Sequence, residues 1–244
     1  MSAPLFLTRA RMRRHVPADA LRALLLPDDA GRRAGAGHRL VWTLFADTPD
    51  RARDFLWRET DAGTFYILSR REPADAHAIF DLDPSKPFAP ALATGDRLAF
   101  SLRANATVAK KAQGRARGKP VDVVMAAIRS LPEGERAGAR IAAVACEGRR
   151  WLESQGARCG FSLAPALDDD ADGVDEEGAP RPALRVTGYR TLRVEHRGSD
   201  ARLGVLDFDG VLEVQDPERF VESVARGFGR AKAFGCGLML IRRA

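Results

Sequence analysis

Gly227-Phe-Gly-Arg-Ala-Lys-Ala-Phe-Gly-Cys-Gly-Leu238 lies between a helix and the last strand, and its direction decides the fold. Upstream, Asp216 can cap a helix, Pro217 suits its first turn, Phe220, Val221 and Val224 share one face, and Gly227 ends it. Downstream, Gly237–Arg242 reads as a strand. A dinucleotide-binding loop runs the other way, from strand into helix, and Gly-x-x-x-x-Gly-Lys-Ser/Thr is absent, so neither nucleotide-binding fold fits. Glycines at 227, 229, 235 and 237 around Arg230 and Lys232 leave backbone N–H groups open to an anion. The same glycines serve equally well as a helix cap and a tight connection.

Toward the N-terminus, Leu5–Met12 reads as a strand, Pro17–Leu26 and His38–Phe45 as helices separated by Pro27–Gly31 and by Gly35 and Gly37, and Asp54–Arg58 with Thr64–Arg70 as a hairpin about Gly63. Pro73–Phe80 suits a short helix, and Arg97–Ala106 a strand with Leu98, Phe100 and Leu102 on one face. That order is β-α-β-β-α-β, the ferredoxin-like motif. After a basic loop, Ala137–Gln155 reads as a helix with Ile141, Val144, Ala145, Trp151 and Leu152 inward. The strands Leu184–Glu195 and Leu203–Val214 precede the last helix and strand. The chain is therefore expected to be α+β, two tandem ferredoxin-like (RRM-like, βαββαβ) domains over residues 1–108 and 109–244.

The 244 residues carry 39 basic and 33 acidic side chains, a net charge of +6. The excess is local. Between Ser101 and Pro120 stand Arg103, Lys110, Lys111, Arg115, Arg117 and Lys119 with no acid, the footprint of a polyanion site or a solvated loop. The acidic run Asp168–Glu177 reads as a surface loop. Three cysteines without metal-ligand spacing point to reduced thiols, and no apolar run is long enough to span a bilayer, so a soluble cytoplasmic protein is expected.

Two stretches and the histidines carry further candidate chemistry. Asp207-Phe-Asp-Gly-Val-Leu212 matches the Asp-x-Asp-Gly signature of Mg²⁺-dependent phosphatases of the haloacid-dehalogenase type, but it lies near the C-terminus and lacks the α/β body that chemistry needs. His15, His38, His77 and His196 show no zinc-ligand spacing, so no metal and no cofactor is expected. His38, beside Arg39, stands among glycines where an imidazole can be half exposed. Arg190, Arg193, Arg197 and Arg202 make the segment Arg190–Arg202 a basic hairpin, able to lie along an RNA groove or simply to guard a sheet edge.

Gly-x-Gly-x-x-Lys-x-x-Gly-x-Gly-Leu before the last strand resembles the glycine-rich loop of the CasE family, the repeat-RNA endoribonuclease subunit of the type I-E CRISPR Cascade complex. His38–Phe45, Pro49–Leu56, Arg97–Asn105 and Phe208–Val214 resemble it in order and spacing, across nearly the whole chain. The resemblance implies a metal-independent endoribonuclease that cuts precursor CRISPR RNA at the base of the repeat stem-loop by 2′-OH attack. Such an enzyme stays on the mature crRNA with the other Cascade subunits. It places the catalytic histidine on His38. It implies RNA contacts from Arg39, Arg103, Lys110, Lys111, Arg115, Arg117, Lys119, Arg190, Arg193, Arg197, Arg230 and Lys232, with close backbone approach at Gly227, Gly229 and Gly235. Some members carry a tyrosine where this chain has Gly35, which leaves the second catalytic group open among Arg39, a basic-loop lysine and Lys232. A non-catalytic RNA-binding scaffold of the same fold is the alternative.

Overall fold

A computed structural model describes residues 4–13, 27–45, 52–110, 118–166, 182–196 and 199–244. The chain divides into two compact units: residues 1–90 with 191–203 and 231–238, and residues 91–190 with 204–230 and 239–244. The helix expected over 17–26 lies outside the described residues.

In the first unit, β1 (Phe6–Met12) pairs antiparallel with β3 (Thr64–Ser69), β3 pairs with β2 (Phe55–Asp61), and β4 (Phe80–Leu82) takes the other edge of β1. The order β2-β3-β1-β4 is that of a ferredoxin-like sheet, and a short β5 (Lys86–Pro87) extends β1. Helix α1 (Ala30–Trp42) covers this sheet. Leu40, Val41, Leu44 and Phe45 pack on Ala10, Phe55, Trp57, Phe65, Ile67 and Phe80, where each large side chain contributes about 1.5–3 kcal/mol.

The second unit repeats the plan. β6 (Arg97–Ala104) lies between β11 (Ser199–Val214) and β12 (Met239–Arg243), and β10 (Leu184–His196) flanks β11, giving the order β10-β11-β6-β12, with β9 (Phe161–Leu163) beside β11. A separate two-stranded ribbon joins β7 (Thr107–Lys110) to β8 (Lys119–Asp122) and leads into α2 (Val123–Ile128). Helix α3 (Arg136–Cys159) stacks Trp151 on Phe208 at 5.6 Å. Helix α4 (Pro217–Arg226), capped by Asp216 as expected, sets Phe220 edge-on against Phe161. Among the described residues no helix is long and apolar enough to cross a membrane.

Four expectations need correction. Arg97–Ala104 opens the second sheet; the fourth strand of the first sheet is Phe80–Leu82. No helix covers Pro73–Phe80: the Asp75 carboxylate accepts from the backbone of His77, Ile79 and Phe80, and this side-chain-built turn replaces it. The helix before Phe45 starts at Ala30, eight residues earlier than expected, because Asp29 caps it and Gly35 and Gly37 continue it. A Cβ at Gly37 would come within 2.7 Å of the Trp57 ring, so close packing keeps glycine inside that helix. Lastly, Ile141 is 82% exposed, and only the C-terminal half of α3 reaches the core, through Trp151 and Leu152.

Candidate active site

His38 sits late in α1, between the buried Gly37 and Leu40, and is itself half-buried. One turn on, the indole Nε1–H of Trp42 donates to its Nε2 at 3.1 Å, an i,i+4 pairing, with the rings edge to face at 6.2 Å. The Trp42 ring is held edge-on against Phe55 on β2 at 5.1 Å. The other imidazole nitrogen, Nδ1, is buried without a hydrogen-bond partner among the described residues. Burial, then the charges of Arg53 and Arg39, hold the imidazole pKa below its ordinary value. His38 is thus a neutral imidazole at neutral pH, and its single lone pair, on Nε2, can take a proton.

The cations beside it differ. Arg39 is exposed. Arg53 is half-buried, its Nη1 has no hydrogen-bond partner among the described residues, and burial pulls its pKa down. A guanidinium held partly out of water with a donor unsatisfied costs stability unless an anion arrives. Neither Arg53 nor Trp42 stands out in the sequence as a site residue. Trp42 was detectable four residues after His38 on one helix face; Arg53 sits ahead of β2 among Arg51, Arg53 and Arg58, and nothing in the pattern separates them.

The glycine-rich segment is shared between the units. Gly227, Gly229 and Arg230 belong to the second and Lys232 to Gly235 to the first. Gly229 has φ +69°, and a Cβ there would lie 2.8 Å from the Asn105 carbonyl, which also accepts from the Arg230 backbone at 3.3 Å. The Lys232–Phe234 turn packs on α1 and β2, and Gly235, at φ +73°, leaves only 3.0 Å between a Cβ and the Trp57 ring that Gly37 also touches. Both glycines therefore serve internal packing. Gly235 in addition keeps the Lys232 turn on the helix that carries His38.

The basic candidates separate into held and exposed groups. Arg103 donates through Nε to Asp207 Oδ1 at 2.7 Å, and Arg190 through Nη1 to Oδ2 at 3.1 Å, so one carboxylate in β11 holds both. That motif lies mid-strand in an antiparallel ladder, Asp207 opposite Arg103 and Asp209 opposite Ser101, not at the strand end that phosphatase chemistry uses. Lys119, Arg193, Arg202 and Arg230 are exposed. Lys110 stands opposite Lys119 in the β7–β8 ribbon. Lys111, Arg115, Arg117 and Arg197 lie outside the described residues. Within the first unit the fold collects His38, Arg39, Arg53, Lys232 and the β10 segment of Arg193, whose backbone runs directly against Gly31 of α1.

Residues 5–243 match the family described as CRISPR associated protein. The chain is 25% identical to the CRISPR system Cascade subunit CasE of Escherichia coli K12, covering 83% of this chain and 88% of that one. It is 31% identical to the CRISPR-associated endoribonuclease Cse3 of Thermus thermophilus, covering 65% and 61%. Among solved structures, Thermus thermophilus Cse3 bound to an RNA representing a pre-cleavage complex superposes with a TM-score of 0.63 at 25% identity, over 98% of this chain and 99% of that one.

Proposed function

For a chain that belongs to the CRISPR associated protein family, we propose an endoribonuclease that cleaves precursor CRISPR RNA at the base of the repeat stem-loop, without a metal. The enzyme then stays on its product in Cascade, in the cytoplasm where the transcript is made. The observation that carries this reading is His38: neutral, half-buried, with one lone pair, and beside the cation Arg53, whose Nη1 has no partner among the described residues. The RNA supplies its own nucleophile. His38 Nε2 takes the proton of the ribose 2′-OH, the 2′-oxygen bonds to the adjacent phosphorus, and the P–O5′ bond breaks. The 5′-oxygen takes a proton from water to leave as a hydroxyl, and His38 returns its own proton to solvent. The products are a 2′,3′-cyclic phosphate and a 5′-OH. Arg53, with Arg39 and Lys232, offsets the charge that builds on the non-bridging oxygens. Exposed Arg193, Lys119 and Arg230, together with Lys110, Lys111, Arg115, Arg117 and Arg197, draw the stem in, while Arg103 and Arg190 act from their Asp207 pairing.

The second reading, a binding scaffold, has one observation in its favour: Trp42 already occupies His38 Nε2, as it would in a merely packed histidine. Labelled repeat RNA separates the two. Under the nuclease reading, His38→Ala slows cleavage by ~10²-fold or more while stem-loop affinity stays within a few-fold. EDTA leaves the rate unchanged, and a 2′-deoxy nucleotide 5′ of the cut blocks it. Cutting of the deoxy substrate, or cutting by His38→Ala near the wild-type rate, overturns this mechanism.

A further inference from the structure

We propose that Trp42 is a positioning residue for His38: its indole N–H fixes the imidazole as the Nδ1–H tautomer and aims Nε2, and the RNA 2′-OH takes over that acceptor when it is seated. The inference rests on the nuclease reading for its last clause only. A neutral imidazole has one lone pair and one N–H. Indole is a donor and never an acceptor, so a 3.1 Å contact between Trp42 Nε1 and His38 Nε2 assigns the lone pair to Nε2 and the proton to Nδ1. Among the described residues Nδ1 has no hydrogen-bond partner that could select its proton state from the other side. The tautomer is therefore set by the indole.

The indole is itself fixed. It stands four residues along the same helix and lies edge-on to Phe55, which stacks on Phe45 at 4.7 Å, so the donor is aimed by the apolar core. Among the described residues, the charged groups facing the imidazole are Arg53, ahead of β2, and Arg39, on α1. Both are cations, and neither can accept a proton from Nδ1–H or lend Nε2 a competing carboxylate. A base that must meet a 2′-OH with its lone pair in line gains most from such orientation, because small misplacements are costly in rate. One nitrogen cannot serve two donors well. Binding of RNA therefore exchanges the indole for the ribose hydroxyl at the same atom.

Trp42→Phe keeps an aromatic ring against Phe55 and removes the N–H along with the rest of the indole's five-membered ring. Long-range proton–nitrogen correlation spectra of the full-length RNA-free protein, with the His38 signal identified by its loss in His38→Ala, read the tautomer directly. The wild type is expected to show the Nδ1–H form alone and Trp42→Phe a mixture of both. Loss of a bond made only to the neutral ring should also raise the His38 pKa, so the acid limb of the cleavage profile moves to higher pH. The single-turnover rate at neutral pH should drop several-fold with unchanged RNA affinity. A pure Nδ1–H tautomer and an unmoved acid limb in Trp42→Phe overturn the proposal. An altered tautomer in a protein whose His38→Ala variant still cuts upholds the positioning and overturns the nuclease role of His38 instead.

Discussion

The two units share the strand order 2-3-1-4, yet one charged centre in each is built differently. In the second, the Asp207 carboxylate, 15% exposed, is met by two guanidinium groups, so both cations have a partner within the protein. In the first, Arg53 has a buried Nη1 that no described residue meets, beside a histidine kept neutral. Carriage of an unsatisfied cation is a cost to folding, whereas paired charges on a sheet are ordinary architecture. Under the proposed function, the scissile phosphate is expected in the first unit, beside Arg53 and His38. The secondary structure differs too: where the second unit has α4 before its last strand, the first has only the Asp75 turn before β4.

The sharpest way to break this comparison is Arg53→Met. If the guanidinium waits for the scissile phosphate, its loss should slow single-turnover cleavage by ~10²-fold, as for removal of a preorganised donor to a developing oxyanion. Thermal unfolding should stay the same or shift upward, since a half-buried cation becomes an apolar side chain. The pH profile adds a signed check. The neighbouring cation is one of the causes that hold the His38 pKa below its ordinary value of 6.5, so its removal lets that pKa rise. The wild-type rate should then be flat through neutral pH and fall only below that ordinary value, as the imidazole charges, and in Arg53→Met the fall should begin at higher pH. The stability that the depressed pKa contributes is present above the unfolded-state value and is lost as pH falls through the folded one. A wild-type rate with a destabilised fold would make Arg53 structural.

Asp207→Ala tests the other side. It leaves Arg103 and Arg190 facing one another without their carboxylate, and should cost about 1–3 kcal/mol of stability, read by denaturant unfolding. Cleavage per folded molecule should hardly change. A large rate loss without a stability loss would bring Asp207 into the chemistry and end the contrast between the units.

How far the sequence speaks follows the same division. The second unit was legible because its signals are local: the Asp216–Pro217 start of α4, the Gly227 stop and the alternation along Arg97–Ala104 all survive in the structure. The sheet to which that last strand belongs was not legible, since two adjacent ferredoxin-like motifs share the same alternation and only the ladder to β11 decides. Gly35 and Gly37 looked like breakers because propensity weighs each glycine alone, whereas the Trp57 ring that demands Gly37 comes from twenty residues on. Ile141 matched a helical core spacing, but it stands on the solvent side of α3. In the candidate site, His38 was singled out through a family pattern. Arg53 has, among the described residues, no hydrogen-bond partner for Nη1, whereas Arg33 has Glu59 and Arg71 has Asp54, pairings that no spacing reveals. The Nη1 of buried Arg58 likewise makes no hydrogen bond among the described residues, so proximity to His38 is what singles Arg53 out.

The smallest expected effect separates exposed cations from held ones. Lys119 and Arg193 are exposed, and each, if it meets a phosphate, releases condensed counterions on binding. Lys119→Gln or Arg193→Gln should therefore lower affinity for the repeat stem-loop only a few-fold and flatten the slope of log K against log salt by roughly 0.7–0.9 for each phosphate no longer neutralised. Arg103→Gln should flatten that slope less, because the guanidinium shares the Asp207 carboxylate with Arg190 within the folded protein. Titrations of labelled stem-loop at several salt concentrations, with the His38→Ala background preventing turnover, give all three slopes. Equal flattening by Arg103→Gln and Arg193→Gln would mean that the RNA takes Arg103 from its carboxylate, and the second unit's charges would then count as interface. No flattening by Lys119→Gln and Arg193→Gln would make those two ordinary solvated surface. The electrostatic path of the RNA would then run along Arg39, Lys232 and the remaining basic residues near His38.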